Sequence, residues 1–254
     1  MTKVLRKEMF LKSNKKRRLL PKIIIAVIAV LMIGCILYVS DYYAADSAAI
    51  EAMQGTDDGV SIEDTENAIY FIPDDIEAGF IFYPGGKVQA EAYVPLMRKC
   101  AQEGILCILD KMPFNLAVFK TNAADGEEEK YPGVTNWYIG GHSLGGSMAA
   151  KYVSEHTDQY DGLILLAAYS VNDISDSDLK VLSVYGSEDG VLNNENYEKN
   201  KENLPDNFTE TIIDGGCHAY FGSYGMQDGD NEAKISNEEQ IEETAEIIGE
   251  FVSD

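Results

Sequence analysis

From residue 68 onward the chain repeats one texture. Short, almost wholly apolar runs recur as AIYFIP, AGFIFYP, ILCILDK, NWYIGG, YDGLILLAAYS, LKVLSVYG and FTETIID. Between them lie segments with apolar residues at helical spacing: AEAYVPLMRKCAQEG (residues 90–104), GGSMAAKYVSEH, ENYEKNKENL and the closing EEQIEETAEIIGEFV. NLAVFKTNAADGEEEKYPG reads as a helix that decays into an acidic loop. Strands apolar on both faces, alternating with helices, predict an α/β domain whose mostly parallel sheet is flanked by helices on both sides. That domain is expected over residues 67–254, with one core and no repeats. About ten residues join LILLAAYS to LKVLSVYG, too few for an inserted lid, so no large cap domain is expected.

The first forty residues have a different pattern. Residues 1–22 carry nine Lys or Arg against the single acid Glu8, a net charge of +8. The uncharged run IIIAVIAVLMIGCILYV follows, Ile23 to Val39. As a helix it is about 26 Å long at roughly 1.5 Å per residue, near the short limit for a bilayer span. Pro21 stands where a helix start tolerates it. The reading is a basic cytoplasmic segment over 1–22, a transmembrane anchor over 23–40 and a tether over 41–66. The basic cluster then puts the N-terminus in the cytoplasm and the following domain outside the cell membrane. Secretion after signal cleavage, using small residues in YYAADSAA, is the alternative.

Charge narrows the partners. Beyond residue 40 the chain keeps 11 Lys and Arg against 42 Asp and Glu, a net of −31. Such a domain repels phosphate backbones, which argues against nucleic acid. The four cysteines show neither a CxxC pair nor a zinc spacing. Cys100 and Cys107, on an expected helix and an expected core strand, read as buried free thiols rather than a bridge.

The candidate chemistry lies in WYIGGHSLGG, residues 137–146. Gly141-His142-Ser143-Leu144-Gly145 is a G-x-S-x-G sequence between an expected strand and an expected helix, the context of a nucleophile elbow. Small neighbours let strand and helix approach, and the turn exposes Ser143 Oγ at the helix N-terminus. There the Leu144 N–H and the helix dipole can stabilise a developing oxyanion. A serine nucleophile also needs a base. Of the three histidines, His142 sits inside the elbow and points the wrong way, and His156 ends the next helix near the surface. His218 follows the last strand in a glycine-bounded loop and remains as the base. Asp189, just past LKVLSVYG, is the expected acid; Glu188, Asp214 and the more remote Asp173 are its rivals. The second oxyanion donor is expected in PGGKV, at Gly86, with Lys87 as runner-up. Tyr220, Phe221 and Tyr224 beside His218 either line an acyl pocket or serve packing.

In this order, YPGGKVQAEAYVPL, KMPFNLAVF, WYIGGHSLGGSMAA, VLSVYGSEDGVL and GGCHAYFGSYG resemble a bacterial family of compact, cap-less serine hydrolases of the α/β-hydrolase superfamily. The resemblance covers roughly residues 68–254. It implies an α/β-hydrolase fold and a triad of Ser143, Asp189 and His218, in that superfamily's chain order. It also implies hydrolysis without naming an ester; a small-molecule or lipid-like acyl ester is the expected substrate, and the triad chemistry needs no metal or organic cofactor. The expected protein is a membrane-anchored, carboxylesterase- or lipase-like serine hydrolase. An acyltransferase using the same triad, or a binding protein on a hydrolase scaffold, are the alternatives.

Overall fold

In the computed structural model the backbone is described for residues 3–54 and 59–254, and side chains for the same residues except 3–20 and 23. The chain divides into two compact units, residues 1–41 and 42–254. The first is one helix, α1 (Lys3–Ser40), which runs through Pro21. Most of its large apolar side chains from Ile24 to Tyr38 are exposed. Among the described residues, no helix is long and apolar enough to cross a membrane. The basic side chains before Pro21 lie outside the described residues.

The second unit is built on eight strands: β1 (Val60–Asp64), β2 (Ala68–Pro73), β3 (Ala78–Tyr83), β4 (Ile105–Asp110), β5 (Trp137–His142), β6 (Gly162–Leu166), β7 (Lys180–Gly186) and β8 (Thr209–Ile213). They form one sheet in the order β1-β2-β4-β3-β5-β6-β7-β8. β2 runs antiparallel to both of its neighbours, and β4, β3, β5, β6, β7 and β8 pair in parallel. The expected mostly parallel sheet is therefore present. The longer helices are α2 (Ser47–Ala52), α3 (Val94–Gln102), α4 (Leu144–Val153), α5 (Asn194–Asn200) and α6 (Asn237–Ser253). α6 opens with a full capping box, Ser236 and Glu239 each bonding the other's backbone N–H. The connection from β6 to β7, residues 167–179, contains neither helix nor strand.

Continuously apolar strands give two cores because successive side chains alternate between the faces of a strand. Cys107 and Leu109 of β4 join Phe80, Phe82, Leu96, Met97 and Ile248 on one face. Leu106 and Ile108 join Ile81, Tyr83, Ile139, Ala149 and Leu165 on the other. Each large side chain wholly withdrawn from water contributes about 1.5–3 kcal/mol. Cys100 and Cys107 are buried and free.

Two stretches depart from the sequence reading. Residues 41–66 were expected to be a tether, but from residue 42 on their described part is built into the second unit. The Tyr43 N–H donates to Lys87 O at 2.7 Å, and the Gln89 N–H donates to Tyr43 O at 2.9 Å. α2 is capped by Asp46, and β1 supplies the sheet edge. Small residues hid this, because an edge strand needs backbone partners rather than an apolar side-chain pattern. Residues 115–130, expected to begin as a helix, form short 3₁₀ turns instead. Phe114 and Asn115 take the left-handed region, φ 57° and 56°, which starts no right-handed helix.

Asp110 ends β4 with both carboxyl oxygens buried and without a hydrogen-bond partner. Burial first, and the nearby Glu127 carboxylate second, push its pKa up to about 8 from the ordinary 3.8. A raised acid favours the folded state fully below the unfolded pKa and loses that contribution as pH climbs through the folded value. Stability is thus expected to fall between about pH 4 and pH 8, and Asp110→Asn is expected to flatten that slope in denaturant titrations. A chain shortened to begin at residue 67 is expected to melt several degrees below one beginning at residue 42, because it loses β1 and the Tyr43 bonds.

Candidate active site

The strand-to-helix corner at Ser143 is shaped by missing side chains. A Cβ on Gly145 would lie 2.1 Å from Tyr83 O and 2.2 Å from Pro84 O; one on Gly141 would lie 2.3 Å from Tyr83 O. Only glycine permits such an approach between β3, β5 and α4. Ser143, squeezed between them, has φ 53° and ψ −121°, rare for a residue with a side chain. It is half-buried at the N-terminus of α4, the corner at which a nucleophile is presented to solvent.

The glycine loop after β3 meets this corner. A Cβ on Gly86 would come within 2.9 Å of Leu144 Cδ2, so the two expected oxyanion residues are neighbours. Lys87, the runner-up, spends its backbone N–H on Asn115 O at 2.7 Å. The Gly85 N–H donates to Tyr93 Oη at 3.0 Å, and Tyr93 Oη lies 2.8 Å from His142 Nδ1. Tyr93 Oη is thus shared between the Gly85 N–H and His142 Nδ1, linking the glycine loop to the elbow. Burial, and then the adjacent His218, hold the His142 pKa well below the usual histidine range. His142 is therefore a neutral ring that fixes the glycine loop.

His218 and Asp189 are brought together from loops 29 residues apart, His218 Nδ1 lying 2.8 Å from Asp189 Oδ2. Asp189 Oδ1 accepts from the Val191 and Leu192 N–H groups at 2.8 and 2.7 Å, so both oxygens are held. A carboxylate only accepts, so Nδ1 is the donor to Asp189, and in the neutral ring the lone pair is on Nε2. That Nε2 is buried and has no protein partner. The His218 ring packs 4.5 Å from the His142 ring, centroid to centroid, and His142 is the residue before Ser143.

The rival acids are occupied elsewhere. Glu188 pairs with Lys234 at 2.6 Å, Asp214 lies by Ser187, and Asp173 is bound by Ser175. His156 stacks on Tyr152 at the far end of α4. Phe221 and Tyr224 are buried packing residues, against His142 and against Tyr93 and Tyr43 respectively, while Tyr220 is half-buried.

Three residues missed in the sequence hold the site together. Gln240 of α6 clamps the residue before His218: its Oε1 accepts from Cys217 N at 2.9 Å and its Nε2 donates to Cys217 O at 2.8 Å. Asp230 joins the loops that carry Asp189 and His218, accepting from Gly190 N at 3.0 Å and from Ala219 N at 2.8 Å. Tyr93 is the third. Tyr93 and Asp230 had no motif to mark them, and Gln240 was legible only as one polar residue in the core stripe of α6.

A model of the alpha/beta hydrolase family matches residues 79–242, a span that holds Ser143, Asp189 and His218. The chain belongs to that family. Among solved structures this hydrolase is similar to Est1E from Butyrivibrio proteoclasticus, with 16% identity, a TM-score of 0.55 and coverage of 77% of this chain and 100% of that one. It is also similar to dienelactone hydrolase from Anabaena variabilis, with 12% identity, a TM-score of 0.58 and coverage of 77% and 98%. A third is a soluble variant of monoglyceride lipase from Saccharomyces cerevisiae in complex with a substrate analog, with 12% identity, a TM-score of 0.56 and coverage of 79% and 96%. At these identities the likeness is one of fold. No curated protein matches the chain in sequence.

Gly145→Ala is expected to destabilise the hydrolase by at least roughly 3 kcal/mol, or to abolish folding, because the new Cβ meets two backbone carbonyls. Chemical denaturation beside the wild type checks this.

Proposed function

We propose that this protein is a serine hydrolase that cleaves acyl esters, with Ser143 as nucleophile, His218 as base and Asp189 as its orienting acid. The observation that carries the reading is the buried Asp189–His218 pair, with its Nε2 lone pair unclaimed, beside the histidine that precedes a strained serine. His218 Nε2 takes the Ser143 hydroxyl proton as Oγ bonds to the ester carbonyl carbon. The carbonyl oxygen becomes an oxyanion, stabilised by the Leu144 and Gly86 N–H groups and the N-terminus of α4. Collapse of this intermediate breaks the ester C–O bond, and the imidazolium returns its proton to the leaving alcohol. Water, deprotonated by the same imidazole, then attacks the acyl-enzyme; the acid leaves and Ser143 regains its proton. Asp189 keeps the imidazole in the working tautomer and steadies the imidazolium. The neutral His142 adds no repelling charge at that moment. The names of two fold neighbours, a dienelactone hydrolase and a monoglyceride lipase, suit ester chemistry.

The proposal includes an N-terminal anchor over residues 23–40, with residues 1–22 cytoplasmic and the hydrolase unit extracytoplasmic. It is supported by the basic-then-apolar sequence and by the exposed apolar side chains of α1. Secretion after signal cleavage is the alternative, and membrane fractionation of the full chain distinguishes the two.

A fluorophosphonate probe is expected to label the wild type, with Ser143→Ala unlabelled and His218→Ala labelled far more slowly. Ser143→Ala is expected to lower kcat for a short-chain ester by about 10⁴-fold or more, and Asp189→Asn by roughly 10³–10⁴-fold. A folded wild type that neither labels nor hydrolyses acetate esters overturns the proposal in favour of a binding protein. Acyl products appearing on an added alcohol in preference to water identify an acyltransferase.

A further inference from the structure

Phe114 and Phe119 are 61% and 60% exposed and pack edge to face with ring centroids 5.7 Å apart; Val118, 47% exposed, lies between them in sequence. The loop beneath is fixed. Met112, Leu116 and Ala117 are buried, and Phe114 and Asn115 both hold left-handed backbone that non-glycine residues rarely adopt. Such conformations persist where the surroundings impose them, and they cluster at functional sites. The loop is bonded to the glycine loop by Lys87 N–H to Asn115 O, one residue from Gly86, and residues 117–119 pack against α4, the helix headed by Ser143. In a domain of net charge −31, the stretch KMPFNLAVFK contains no acid. Val171 and Met226, also exposed, lie on the loops that follow β6 and β8, at the same edge of the sheet as Ser143.

We infer that Phe114, Val118 and Phe119 form an open apolar bench that receives the acyl chain of the substrate, so that the hydrolase acts on medium- or long-chain acyl esters. The inference rests on the serine-hydrolase reading. An ester carbonyl held between Ser143, Leu144 and Gly86 has its chain beside the loop to which Lys87 is bonded. A chain laid there withdraws both its own methylenes and two phenyl rings from water, a gain that an acetyl group does not obtain. The aromatic pair, rather than a closed pocket, sets the preference.

The test uses the full chain in zwitterionic nanodiscs, with p-nitrophenyl acetate and decanoate, beside the double variant Phe114→Asn, Phe119→Ser. Asn is chosen because it tolerates the left-handed backbone at 114. Ethyl and decyl fluorophosphonates supply labelling rates for the same preparations. The wild type is expected to favour decanoate, and the double variant to lower the decanoate-to-acetate ratio of kcat/KM, and the decyl-to-ethyl labelling ratio, by roughly tenfold. Partitioning into the nanodisc is common to both proteins and cancels in the comparison. If the double variant fails to fold, Val118→Ser is expected to lower the same ratios by roughly threefold. Unchanged ratios in an enzyme that labels and hydrolyses acetate overturn the bench alone. So does a change confined to oligomeric state, which makes this face a contact between copies. A wild type that neither labels nor hydrolyses any ester overturns the serine-hydrolase reading, and the bench with it.

Discussion

Backbone meets backbone where β3, β5 and α4 converge, and the site depends on that approach. The carbonyl of Tyr83 lies where a side chain on Gly141 or on Gly145 would have to be. Removing those side chains lets α4 seat directly over the ends of two neighbouring strands. Three consequences follow from this one contact. Ser143 takes a backbone conformation that residues with side chains seldom hold, Leu144 comes against Gly86, and His142 is delivered into the core beside His218. Strain at Ser143 is tolerated because the sheet and helix on either side over-determine its position.

Around that contact, polar groups are tied into a buried lattice. Gly85, Tyr93 and His142 form one chain of hydrogen bonds; Asp189 with its two backbone donors and His218 form another; Gln240 and Asp230 brace the His218 loop. A buried polar atom left unpaired costs about 1–3 kcal/mol, so each satisfied bond also specifies a geometry. His218 Nε2 and His142 Nε2 are exceptions, both buried without a protein partner. His142 and His218 touch, yet their settings differ. One is fixed neutral by burial and a tyrosine; the other faces a carboxylate.

The same lattice joins the beginning of the second unit to the corner at Ser143. Tyr43 bonds the backbone on both sides of Val88, just beyond the glycine loop, and packs at a tilt against Tyr224, which packs on Tyr93. Residues directly after α1 therefore contribute to the support of the candidate oxyanion loop. That role has no local pattern to mark it, because it is exercised by backbone groups and one tyrosine ring whose partners lie far along the chain.

What the sequence determined by itself was everything that repeats with a period or demands a residue type. Strands apolar on both faces meant a covered parallel sheet. Glycines around one serine meant a tight strand-to-helix corner, and of three histidines the one after the last strand was the candidate base. Asp189 was favoured over Glu188 and Asp214 by its place after β7, and in the structure it lies 2.8 Å from His218 Nδ1. Tertiary structure alone decided the partners of groups far apart in the chain. Tyr93 reaches His142 across 49 residues and Tyr43 pairs at Val88, while Gln240 clasps Cys217. It also turned residues 115–130 away from helix, because left-handed backbone at Phe114 and Asn115 is compatible with the Lys87 bond and not with helical propagation. Local pattern reports which side chains must leave water; which polar atoms then meet is settled only when the elements are packed together.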